Sequence, residues 1–133
     1  MAVLTRSTPI ANRNRRIAVV AACIAIVHLT IVPRGFHAAP YIGALYLFAT
    51  ALAATLAVGA WHDEGSTDVL AILIGSAYAA AYVASRVVGM PGVSRPSWTA
   101  LGDVSLALDL VLVVAAVIGE PSLRRASPSR GPR

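Results

Sequence analysis

Residues 103–119 read DVSLALDLVLVVAAVIG. After Asp103 the stretch is Leu, Val and Ala up to Val117, apart from Ser105 and one carboxylate, Asp109, near its middle. A water-exposed helix of this length carries a polar stripe, and a soluble strand alternates; neither pattern is present. The stretch therefore reads as a membrane-spanning helix, in which an ionisable residue faces the interior of the bundle and seeks a partner.

The rest of the chain repeats the pattern. Ile17–Val32, Tyr41–Trp61, Val69–Met90 and Thr99–Gly119 form apolar runs of 16, 21, 22 and 21 residues. A spanning helix takes about 17–25 residues. Three runs fit, and the first is extended by Arg16, whose charge can reach the interface from a short span. Pro33 is expected to end the first run, and Pro40 to open the second in the first-turn position that proline tolerates. Ser66, Thr67 or Asp68 is placed to cap the third. The runs are continuous and rich in Ala, which excludes the alternation of a membrane β-barrel. The expected fold class is all-α, a four-helix transmembrane bundle. Residues 1–16 form a basic cytoplasmic tail, 17–119 the membrane domain, and 120–133 a second basic tail, disordered and rich in Ser and Pro.

Composition agrees. Hydrophobic residues make up 57 % of the 133 residues and charged residues 13 %, against about 25 % charged in soluble domains. All eleven basic residues are Arg. Eight of them, at 6, 13, 15, 16, 124, 125, 130 and 133, lie outside the apolar runs near the two ends. That distribution suits cytoplasmic flanks of a membrane protein rather than a nucleic-acid face, which interleaves basic and aromatic side chains. Arg34 and Arg95 fall in the loops that then face outward. The expected location is the cytoplasmic membrane, multi-pass, with both termini cytoplasmic. The expected partners are the lipid bilayer and a second copy of the chain or a larger membrane complex, with no nucleic acid.

Small residues recur every fourth position in the second run (Ala49, Ala53, Ala57) and the third (Ala77, Ala81, Ser85). Such stripes let helices approach closely in lipid, so the second and third helices are expected to pack together.

Counting 1.5 Å per residue from the outer ends places His28 roughly 8 Å deep, with Tyr46 and Asp109 each roughly 9 Å deep. Arg86 lies near the outer end of the third helix, with Tyr82 one turn below it on the same face. His28, Tyr46, Tyr82, Arg86 and Asp109 are thus the candidate site, a polar cluster in the outer half of the bundle. Arg86 is the expected partner of Asp109, because a guanidinium can give a carboxylate two parallel hydrogen bonds. The cluster clamps helices three and four, or forms a polar pocket open to the outside, or else Arg86 reaches outward to the interface and leaves Asp109 protonated.

Other chemistry is poorly supported. His28, His37 and His62 are too scattered for a metal site, and Cys23 stands alone. No nucleophile triad or phosphate-binding glycine loop is present, so no cofactor, metal or catalytic residue is expected.

The segments HLTIVPRGFHAAPYIGALYLFATALA (28–53) and YVASRVVGMPGVSRPSW (82–98), followed by LGDVSLALDLVLV, resemble a group of small four-helix actinobacterial membrane proteins of unassigned function. The matching positions are His28, Pro40, Gly43, Ser85, Arg86, Gly89, Pro91 and Asp109. The acidic residue of that group is more often Glu. The resemblance covers residues 25–118 and implies a membrane protein without assigning it a reaction. The functional expectation is a non-enzymatic accessory or structural subunit, or a binding module with an outward polar cluster. The rival is a minimal proton-coupled transporter acting as a dimer, in which Asp109 exchanges a proton for substrate.

Overall fold

A computed structural model of the chain describes residues 9–62, 67–93 and 97–118. Four helices follow one another: α1 (Pro9–Ala38), α2 (Pro40–Trp61), α3 (Thr67–Val87) and α4 (Ala100–Ile118). Each is long and apolar enough to cross a bilayer. No strand occurs among the described residues, where Met90 and Val93 form an isolated bridge. The chain is an all-α, multi-pass membrane protein.

The first helix departs from expectation at both ends. It begins at Pro9 rather than Ile17 and runs straight through Pro33 to Ala38. Pro33 removes one backbone donor, but spanning helices tolerate that loss, partly through local Ser and Thr bonds. The true breaker is Pro40. It excludes helical geometry at the residue before it, and Ala39 is extended at φ −165°, ψ 143°. Pro40 then starts α2, so a single non-helical residue joins the helices. The hairpin is tight because Gly35 and Gly43 face each other: a Cβ on Gly35 would lie 3.0 Å from the Gly43 Cα.

At the other end of α1, Arg13 forms an ion pair with Asp68 of α3 at 2.8 Å, each side chain 19 % exposed. The Arg15 guanidinium lies over the Trp61 ring at 5.9 Å. The basic residues at 13–15 are therefore part of a helix docked on α2 and α3. Substituting Asp68→Asn removes one counter-charge from a half-buried guanidinium. We expect a loss of about 1–3 kcal/mol, less than the roughly 3–5 kcal/mol of a fully buried pair. Thermal unfolding in detergent measures it, and an exchange of the two residues should restore part of the loss; unchanged unfolding would show the pair to be dispensable.

α1 packs along α2, α3 packs along α4, and α4 joins the two hairpins through α1. The apolar core occupies the half of the bundle holding the start of α1 and the end of α4, where Ile17, Ile24, Leu56, Ala71 and Leu112 are buried. The expected close approach of α2 and α3 does not occur: those two meet sparsely. Ala53 is buried in the core, but Ala77 and Ala81 stay exposed. The small side chains leave a gap because α2 is committed to α1 and α3 to α4.

Candidate functional site

That gap is a cavity of about 400 Å³ between α2 and α3, within the roughly 300–1,000 Å³ range of small-molecule sites. Every helix contributes to it: His28 from α1, Tyr46 from α2, Tyr78, Tyr82 and Ser85 from α3, and Ser105 and Asp109 from α4. Its mouth is apolar, with Leu45, Phe48, Ala77 and Ala81 on the two sides. Leu45 and Phe48 are 55 % and 64 % exposed, so the opening faces the hydrocarbon.

Two tyrosines bridge the sparse seam. Tyr78 donates to the Ala49 carbonyl of α2 at 2.6 Å. Tyr41, at the start of α2, donates to the Pro91 carbonyl at 2.6 Å. These bonds tie α2 to α3 and to the segment after it, where side-chain packing does not.

The inner wall is built around His28. Its Nδ1–H donates to the Ile24 carbonyl at 3.1 Å. A carbonyl only accepts, so in the neutral ring Nε2 is left as an acceptor. The ring sits edge-on to Tyr78 at 5.1 Å and tilted to Tyr46 at 5.7 Å. Asp109 is 1 % exposed, the deepest polar residue of the wall. Its level is fixed by Gly75: a Cβ there would lie 2.8 Å from the Asp109 carbonyl oxygen. The absence of a side chain at 75 lets α3 and α4 touch backbone to backbone.

The cavity thus brings together His28, Tyr46, Tyr82 and Asp109, but not Arg86. The expected Arg86–Asp109 clamp is absent. Among the described residues these two form no ion pair. Arg86 Nε and Asp109 Oδ1 are each buried without a hydrogen-bond partner. The reason is register. Gly75 is level with Asp109, and Arg86 lies eleven residues farther along α3, roughly 16 Å at 1.5 Å per residue. The guanidinium stacks instead on the Tyr82 ring at 4.5 Å.

Tyr82 is held by Asp103, which accepts its hydroxyl proton at 3.0 Å, and by the edge of Trp98 at 5.6 Å. Gly102 makes room for it, since a Cβ there would collide with the phenol ring. Gly102→Ala should therefore push Tyr82 aside and separate it from Trp98. The fluorescence of Trp98, read in a Trp61→Phe background, is expected to shift; an unchanged spectrum would mean that the ring accommodates the methyl group in place.

Tyr78 was not singled out by the depth count, although it stands one turn before Tyr82 on the same face. The i, i+4 spacing was the available signal. No group of three metal-binding side chains occurs among the described residues. No family model matches the chain, and comparisons with curated proteins and with solved structures returned no match.

Proposed function

We propose that the protein is a non-enzymatic binding module of the cytoplasmic membrane, taking up a small molecule in the cavity between α2 and α3. The carrying observation is the cavity itself, apolar at its mouth and polar at its inner wall, with the Asp109 Oδ1 buried there and unpartnered. Buried polar atoms ordinarily find a partner, and one that does not marks a position where structure yields to function. The Arg distribution supports an orientation with both termini cytoplasmic, which turns the end of the bundle nearest the cavity outward. The resemblance to small actinobacterial membrane proteins is compatible with this reading.

The test is native mass spectrometry of protein extracted from its own membranes. The wild type should release a bound small molecule that Ala77→Phe, which fills the mouth, does not carry. Equal recovery from both forms would contradict a ligand in this cavity.

The isolated carboxylate also favours a second reading, a dimeric transporter that couples a proton on Asp109 to solute movement. In proteoliposomes that reading requires pH-driven flux abolished by Asp109→Asn; binding without flux would remove it.

A further inference from the structure

The polar wall of the cavity is rich in acceptors and poor in free donors. Asp109 Oδ1 has no donor, and the His28 Nε2 is an acceptor because Nδ1 is committed to Ile24. The hydroxyl protons of Tyr78, Ser85 and Tyr82 are already given to Ala49, Tyr82 and Asp103. The hydroxyls of Tyr46 and Ser105 can turn either way. Arg86 Nε is a buried donor without a partner too, but Arg86 is stacked on Tyr82 and does not line the cavity.

A ligand that satisfies this wall must bring protons rather than lone pairs. An ammonium group offers several donors and no acceptor. Tyr46 and Tyr78, which flank His28, also line the cavity, and an aromatic ring attracts a cation placed over its face. The mouth adds the second requirement, an apolar body that can lie between Leu45, Phe48 and Ala81 and reach into the hydrocarbon.

Resting on the reading of the cavity as a binding site, we propose that it takes a small lipophilic ammonium ion, its nitrogen donating to Asp109 and its alkyl part leaving between α2 and α3. The amine comes either from a free alkylamine or from the headgroup of an aminophospholipid.

The experiment is equilibrium dialysis of the full-length protein in phosphatidylcholine nanodiscs against three matched straight-chain probes: octylamine, 1-octanol and octanoate, at neutral pH. Empty nanodiscs give the partitioning background. Octylamine should bind saturably above that background, and at least about tenfold more weakly to Asp109→Asn, which loses the charge-assisted bond. Ala77→Phe should block binding with Asp109 intact, and it keeps the test decisive if Asp109→Asn fails to fold. Adding phosphatidylethanolamine separates the sources. Competition supports the lipid amine as ligand; no competition supports a free amine. Preference for the alcohol or the acid would overturn the cationic assignment but leave the cavity as a binding site. Saturable binding of none of the three would overturn both, and equal octylamine affinity in the wild type and Asp109→Asn would overturn the role of Asp109.

Discussion

Asp109→Leu should make the protein more stable, by about 1–3 kcal/mol, the penalty carried by a buried polar atom that lacks a partner. A carboxylate near the middle of a spanning helix costs about 2.5–3.5 kcal/mol on insertion scales, and a well-formed ion pair is the usual compensation. Here that compensation is missing: Oδ1 is buried without a hydrogen bond, and Arg86 is engaged with Tyr82. Leucine has no unsatisfied atom, and the adjoining cavity can take its added volume. The gain is read as a higher unfolding temperature in a fixed detergent. A clamp between helices three and four requires the opposite, a fall of similar or larger size. A protein stabilised by removing its deepest polar group, and emptied of ligand by the same change, would have kept that group for function.

Substitution at Gly75 should have the opposite sign. The neighbour of its missing side chain is the Asp109 carbonyl oxygen, with Val113 behind it. A backbone atom inside a helix cannot swing aside, so even Ala forces α3 from α4 and costs about 1–3 kcal/mol, the usual range for overpacking. Gly75→Leu should fail to accumulate as a folded protein. Gly43 is the instructive comparison. A Cβ there would also collide, but with the ring of Phe36, which is 46 % exposed and free to turn. Gly43→Ala should therefore cost less than Gly75→Ala. Expression and thermal unfolding of the two alanine variants check the ranking; equal costs would mean that the α3–α4 contact is looser than described.

The fold was largely legible because the strongest signal, a continuous apolar run near bilayer length, needs no tertiary information. Runs two, three and four correspond to α2, α3 and α4 with ends moved by a few residues. α1 differs from its run at both ends because a membrane helix tolerates proline at 33, and because Arg13 belongs to the helix rather than to a tail. Its partner Asp68 lies 55 positions away, and no local rule connects them. The cavity was legible only in depth. Counting from the run ends set His28, Tyr46, Tyr82 and Asp109 at comparable levels, and all four line it. The same counting paired Arg86 with Asp109 because it ignored the relative shift of α3 and α4. That shift is set by Gly75 and Gly102, the positions where close approach is sterically possible. The Ala stripes misled for a related reason: small residues permit contact but do not choose the partner, and α2 found its partner in α1.

Asp109 faces a cavity rather than an arginine, and a double-mutant cycle on Arg86 and Asp109 is the most direct measurement of that arrangement. Wild type, Arg86→Gln, Asp109→Asn and the double variant are unfolded in the same detergent, and the coupling energy is taken from the four stabilities. Groups without a shared contact are expected to be nearly additive, with coupling below about 1 kcal/mol. A coupling of about 3 kcal/mol or more, the scale of a broken buried ion pair, would contradict the account and restore the clamp.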